Sequence, residues 1–306
     1  MADRLMLLDT ASLYFRAFYG VPDTVKAPDG RPVNAARGLL DMIAKLVTMY
    51  EPTHVIACWD DDWRPQWRVD LIPTYKTHRV AAVLDIGADV EEVPDPLTAQ
   101  IPVIRDELGA LGIPIVGHVD HEADDVIASY ATQSPVAVDV VTGDRDLFQL
   151  VDDDQQIRVI YTGRGMSKLE VLDDAAVVAK YAVLPTQYAD FAALRGDASD
   201  GLPGVAGIGE KTAATLLATH GDLAGIIAAA ASGAGLTASV RAKVLAASDY
   251  LAVAPRVVEV VRTLALQPID NSRLRLPDAA EIARVDAEWN LGTPLARTVA
   301  AITARV

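Results

Sequence analysis

The chain reads as an α/β protein built on a mostly parallel sheet flanked by helices, and two observations predict it. Short, apolar, β-rich runs, RLMLLD (4–9), HVIACWD (54–60) and VAVDVVTGD (136–144), alternate with helical patterns such as AARGLLDMIAKLVTMY (35–50) and LTAQIPVIRDELGAL (97–111). Each strand-like run also closes on an aspartate: Asp9, Asp60 and Asp144, with Asp146 two residues beyond the last. Ligands of open α/β sheets bind in the crevice outside the carboxyl ends of the strands. One aspartate in that position signifies only a turn, since Asp is a common turn former. Three at once point to a site.

The stretch HEADDVIASY (121–130) adds Glu122, Asp124 and Asp125 at the start of the next helical pattern. Acids favour a first helical turn because the N-terminal end of the helix dipole is positive. At about 100° per residue, Ala123, Val126, Ile127 and Tyr130 form the core-facing stripe and the acids fan over the other half, towards water or a polar cleft. Electrostatics separates these two. Two carboxylates about 4 Å apart repel by about 4 kcal/mol at an effective dielectric near 20. Several at one sheet edge therefore need cations or must protonate. Oxygen-only donors select Mg²⁺ or Mn²⁺, and a pair of such ions is the recurring device for phosphodiester displacement. His121 is expected to flank the helix rather than bind metal.

Composition is consistent with this assignment but does not demand it. The chain has 306 residues and carries 27 Lys and Arg against 42 Asp and Glu, a net charge of −15. That balance would exclude a polyanionic partner unless many of the acids hold cations. The lone cysteine, Cys58, cannot form an internal disulfide, so a reducing cytoplasm is the expected setting. No apolar run reaches the roughly 18 residues of a membrane span, and no membrane partner is expected.

The stretch GDASDGLPGVAGIGEKTA (196–213) nearly matches a phosphate-binding P-loop. Glu210 stands where Lys is required, however, and Lys211 comes one place late, which rejects ATP. What remains is a Gly-rich hairpin, with Gly204, Gly207 and Gly209, leading into KTAATLLATH. It is either a simple interhelical turn or a holder of nucleic-acid phosphates through backbone N–H groups, Lys211 and Thr212.

Taken in order, LLDTASLYFRAFYG, CWD, YKTHR, HEADDVIA, TGDRDLFQL and GDASDGLPGVAGIGEKTA resemble the motifs of bacterial flap endonucleases, relatives of the 5′-nuclease domain of DNA polymerase I. The similarity runs from residue 4 to about 250. It implies a free-standing nuclease with a PIN-like core (1–186), a helical arch (about 62–98), and a helix–two-turn–helix DNA-binding module with a C-terminal packing region (187–306). By position it implies Asp9, Asp60, Glu122 and Asp124 for a first metal site, and Asp125, Asp144, Asp146, Asp197 and Asp200 for a second. Arg16, Lys76 and Arg79 match cations that steer the scissile phosphate. Two or more Mg²⁺ or Mn²⁺ ions are implied, with K⁺ at the hairpin. The implied partners are DNA with 5′ flaps or 5′ ends and RNA primers on DNA, bound by a monomer. The implied reaction leaves a 5′-phosphate and a 3′-hydroxyl.

Two positions depart from the family pattern. Arg37 stands where an aromatic residue is usual, and Gly201 replaces a common Asn after Asp200. Trp63, Trp67 and Tyr75 could stack on bases or pack within the arch. The alternatives are a PIN-type endoribonuclease, whose chains are usually shorter and lack the DNA-gripping module, and a catalytically silent DNA-structure binder. A pure binder, however, has no reason to hold so many acids against a polyanion.

Overall fold

The computed structural model describes residues 3–84 and 89–306. A six-stranded sheet lies at the centre, in the order β5–β2–β1–β6–β7–β8. Strands β1 (Arg4–Asp9), β2 (His54–Cys58), β5 (Ile115–Val116), β6 (Ala137–Thr142) and β7 (Ile157–Tyr161) pair in parallel, and only β8 (Glu170–Leu172) runs antiparallel, against β7. The three Asp-terminated runs form the middle of the sheet. Asp60 and Asp144 lie two residues past their strands.

The side-chain period of two divides β1 between the two faces. Leu5 and Leu7 join Val126 and Ile127 of α6 (Ala123–Gln133), Phe148, and the helical module beyond residue 187. Met6 and Leu8 pack instead with α2 (Asn34–Tyr50) and α5 (Ile101–Ala110). The helix expected over 97–111 is broken after α4 (Asp95–Thr98) and resumes at Ile101, with Pro102 in its first turn, where a proline is tolerated. The predicted core stripe of α6 holds, with Ala123, Val126, Ile127 and Tyr130 all buried.

From β1 the chain passes out to β2 and β5 on one side, then returns to place β6 on the other. That reversal makes the carboxyl ends of β1 and β6 a topological switch point, where a crevice opens. α1 (Thr10–Gly20) starts at this edge and is capped by Asp9, which accepts from the Ser12 N–H at 3.1 Å.

The segment expected as a helical arch is helical only in part. Among the described residues it holds α3 (Gln66–Leu71), a 3₁₀ turn at Thr77–Arg79, and the short hairpin β3 (Val80–Ala82)–β4 (Val90–Glu91), followed by α4. Its aromatic residues are used in packing. Tyr75 is buried, Trp63 donates to the Asp89 carbonyl and Trp67 to that of Asp120. Beyond α7 (Asp174–Tyr181) and α8 (Tyr188–Arg195), the Gly-rich hairpin enters α9 (Glu210–His220), then α10 (Leu223–Ser232), α11 (Ala238–Ala246), α12 (Ser248–Leu251) and α13 (Ala254–Val258). α14 (Ala279–Trp289) and α15 (Gly292–Thr303) return to the first half of the chain, and Thr298 Oγ1 donates to the Leu40 carbonyl at 2.8 Å. Arg37 serves this return by donating to the carbonyls of Asn290 and Leu291. The missing aromatic is thereby replaced by a structural clamp.

Candidate active site

A cleft of about 330 Å³ opens at the switch point and is walled by Asp9, Asp60, Glu122, Asp124 and Asp144. The folding pattern itself puts them there. Asp9 ends β1, Asp60 and Asp144 follow β2 and β6, and Glu122 and Asp124 open α6. Lys76 and Arg79 of the arch segment line the same cleft, with Trp63, Glu91 and Ser199.

The acids have few internal partners. Asp9 accepts from Thr142 Oγ1 at 2.7 Å, Asp60 from the Ala123 N–H at 2.8 Å, and Asp144 from the Asp146 N–H at 2.8 Å. Asp124 has no hydrogen-bond or ion-pair partner among the described residues. Burial pushes the Asp9 carboxyl up to about 7, and the nearby charges of Asp60 and Asp144 push the same way. Burial also raises Asp124 far above the carboxylate range, with Asp144 and Asp9 adding to it. Asp146 lies behind the wall, raised by burial and then by Asp144, Asp200 and Asp197, and its Oδ1 is buried without a partner. Asp200 is raised to about 6, mainly by burial. These carboxylates form one interacting set that lacks positive charge.

Part of that charge is supplied by the chain. Lys76 Nζ bridges to Glu122 Oε2, and the Tyr75 hydroxyl donates to Oε1 of the same side chain at 2.8 Å. Arg79 donates to the Ser199 carbonyl at 2.9 Å and lies 3.4 Å from Asp200 Oδ1. Lys76 has a left-handed backbone and precedes the 3₁₀ turn that carries Arg79. Arg16, on α1, has its Nε buried without a partner.

Two of the acids implied as metal ligands lie differently from the rest. Asp125 does not reach the cleft. It is fully buried, its oxygens accept from Arg68 Nη1 and Nη2 at 2.8 Å each, and the Val261 N–H donates to it at 2.8 Å. Asp197 is also occupied, by Arg195 at 3.1 Å, Arg145 at 3.6 Å and the Ser199 N–H and hydroxyl. A carboxylate whose oxygens are filled by arginine and N–H donors within about 3 Å has little capacity left for a cation. The spacing of acids in DD and in GDASD carries no trace of these partners. Arg68 and Arg195 were therefore missed, as was Glu91, which comes from the hairpin.

The hairpin residues lie in a separate region. Gly204 and Gly207 have positive φ, Gly209 is the N-cap of α9, and Lys211 is exposed on its first turn. The two regions meet at Gly201. Its φ is +70°, and a Cβ there would stand 2.1 Å from the Thr74 carbonyl oxygen. Only glycine lets Lys76 N–H reach the Asp200 carbonyl (3.0 Å) and Thr74 Oγ1 reach that of Gly201 (2.9 Å). The departure from Asn thus makes a joint between the arch base and the module.

Comparison with known proteins agrees. Residues 4–182 match the family model "5′-3′ exonuclease, N-terminal resolvase-like domain", and 183–280 match "5′-3′ exonuclease, C-terminal SAM fold". A 5′-3′ exonuclease of Streptomyces coelicolor is 55% identical over 98% of this chain and 100% of its own length. One from Mycobacterium tuberculosis is 48% identical over 97% of each chain. The DNA polymerase I of Mycobacterium bovis is 44% identical over 73% of this chain but only 24% of its own. The T5 5′-exonuclease with bound zinc shares the fold at a TM-score of 0.64 and 18% identity, covering 98% of both chains. The catalytic core of Rad2 with DNA substrate shares it at 0.62 and 16%, covering 100% of this chain and 92% of that one. With 98% of its length aligned to a 5′-3′ exonuclease at 55% identity and both family models in sequence, the chain belongs to the 5′-3′ exonuclease family.

Proposed function

We propose that the cleft hydrolyses phosphodiesters near a 5′ end or at a 5′-flap junction, as a structure-specific 5′-3′ exonuclease and flap endonuclease in replication and repair. One observation carries this reading: six carboxylates, Glu91 among them, wall a single cleft and two cations from the arch segment face them. The substrates would be DNA with 5′ flaps or 5′ ends and RNA primers on DNA, engaged by a monomer in a reducing cytoplasm.

The donor set fits divalent cations. Asp146 Oδ1 is a buried acceptor with nothing to accept from, half-buried Asp124 lines the cleft without a partner, and all the ligand atoms are oxygens, as Mg²⁺ and Mn²⁺ prefer. Asp9, Asp60, Glu122 and Asp124 would hold one ion, and Asp144, Asp146 and Asp200 another. Bound there, the ions would supply Lewis-acid activation and neutralise charge on the reacting phosphate. Asp197 would join the second group only by giving up Arg195.

The chain's own cations complete the chemistry. Lys76 and Arg79 neutralise Glu122 and Asp200 in the free protein. When the cleft fills, they are available to a phosphate, where a positioned cation acts most strongly on charge that develops in the transition state. Arg16 has an unused donor for the same role. At the hairpin, Gly204, Gly207, Gly209, Lys211 and Thr212 would hold phosphates of the duplex. Lys243 Nζ already donates to the Gly207 carbonyl at 3.0 Å, so K⁺ bound there would compete with that ammonium.

Cleavage of a 5′-labelled flap duplex with Mg²⁺, Mn²⁺ or EDTA tests the proposal. Release of short 5′ fragments only with metal is the expected result. An intact flap alongside cleaved single-stranded RNA would replace this reading with an endoribonuclease.

A further inference from the structure

The Arg68–Asp125 pair lies behind the cleft, with side chains 3% and 0% exposed. It joins three pieces of chain. Arg68 belongs to α3 in the arch segment. Asp125 belongs to the first turn of α6, between Glu122 and the helix body, and also accepts from the Glu122 N–H at 3.3 Å. The third piece is the return after α13: Arg68 Nε donates to the Val257 carbonyl at 3.1 Å and Nη2 to that of Glu259 at 3.4 Å, while the Val261 N–H donates to Asp125. Arg68 Nη1 also lies 3.4 Å from Glu122 Oε1, on the carboxylate whose other oxygen Lys76 engages.

A buried ion pair is a poor source of net stability, because desolvation offsets most of its attraction. Its directional value is greater, since a bidentate guanidinium fixes the angle and distance of its carboxylate. Here that carboxylate sits one residue from Asp124 and three from Glu122. We propose that Arg68 and Asp125 are a positioning pair for the nuclease reaction, and that Asp125 binds no metal. The pair sets the first turn of α6 so that Glu122 and Asp124 face the cleft, and it ties that turn to the arch base and to the chain returning from the DNA-binding module.

The proposal rests on the nuclease reading, and the test separates the two. Arg68→Met, Arg68→Lys, Asp125→Asn and the double variant Arg68→Met/Asp125→Asn are compared in single-turnover flap cleavage at saturating substrate. Mn²⁺ affinity is read independently, from the paramagnetic signal of the free ion. A misplaced first turn should slow Arg68→Met by about tenfold to a hundredfold, with flap affinity unchanged. Arg68→Lys should recover part of the rate. The double variant should lose less than the product of its two single losses, because it leaves no lone buried charge. Mn²⁺ affinity should move no more in Asp125→Asn than in Arg68→Met.

Weaker Mn²⁺ binding in Asp125→Asn alone, by about tenfold, would make Asp125 a ligand and overturn the proposal. So would a parental rate in Arg68→Met. Should Arg68→Met fail to fold, parental rates in folded Arg68→Lys and Asp125→Asn would overturn it equally. If the parent chain leaves the flap intact, the nuclease reading falls, and the Mn²⁺ titration still decides whether Asp125 binds metal.

Discussion

Asp124 and Asp125 are neighbours in sequence and opposites in structure. Asp124 lines the cleft without a partner, whereas Asp125 is closed off by a bidentate arginine and a backbone N–H. The same contrast holds across the molecule. Asp139, in the middle of β6, is fully buried and paired with Arg4 at 2.6 Å and Arg158 at 2.7 Å, while Asp144 beyond the strand end faces other acids. A carboxylate filled by a bidentate arginine and an N–H donor serves the architecture. One left among like charges is, on the proposed function, the place for a cation that the chain does not provide.

The sharpest way to break this comparison is to truncate one acid of each kind. Asp144→Ala should lower cleavage by about a thousandfold, since a metal contributes several kcal/mol to stabilising the transition state. Without metal the variant should melt at or above the parent's temperature, because a repulsion has been removed. Asp125→Ala should do the reverse to stability, costing about 3–5 kcal/mol by stripping buried Arg68 of its bidentate partner. Thermal melts in EDTA read both signs, and a destabilised Asp144→Ala beside an unaffected Asp125→Ala would undo the distinction.

Lys76 tests whether the cations of the chain stand in for metal. Lys76→Ala should slow single-turnover cleavage by about a hundredfold, as loss of a positioned charge does. It should also bind Mn²⁺ more tightly, because Glu122 loses the nearer of its two counter-ions. Slower cleavage with weaker Mn²⁺ binding would mean that Lys76 organises the site instead of competing for it.

Protonation offers a smaller, graded test. Burial raises Asp9 to about 7 and Asp200 to about 6. In the metal-free folded protein these groups keep protons that the unfolded chain has lost. Their contribution to stability is therefore complete below the unfolded pKa, about 4, and is lost as pH rises through about 6 to 7. Divalent ions must expel those protons. Titration calorimetry in buffers of different ionisation enthalpy should detect proton release near pH 6 that fades by about pH 8.5. No release near pH 6 would mean that metals bind elsewhere.

How much of this was legible in the sequence depends on whether the signal was local. The central strands, their terminal aspartates and the α6 stripe follow from periods of two and 3.6 within short windows. The same windows do not mark the strands β7 and β8 or the hairpin β3–β4, and they read α4 and α5 as one helix. Asp124 and Asp125 could not be told apart because the difference lies in Arg68, 57 residues away in sequence. Residues after about 250 carry few motifs, yet Val261 supplies one of the N–H groups that hold Asp125, a backbone contact no side-chain pattern encodes. Gly201 was legible only as a departure; its reason is the Thr74 carbonyl against it.

The smallest expected effect concerns the hairpin, whose proposed role is to grip DNA and not to react with it. Lys211 is exposed on the first turn of α9, behind the Gly209 N-cap, and does not line the carboxylate cleft. A phosphate held there would meet the helix N-terminus and one ammonium, neither of which senses the scissile bond. Lys211→Ala should therefore weaken duplex binding similarly for all sequences and lower the slope of log affinity against log salt by about 0.9, the share of one released counterion. The single-turnover rate at saturating substrate should stay at the parental value. An unchanged slope would remove Lys211 from the DNA contact, and a large loss of rate at unchanged affinity would move it from the gripping region to the reacting one.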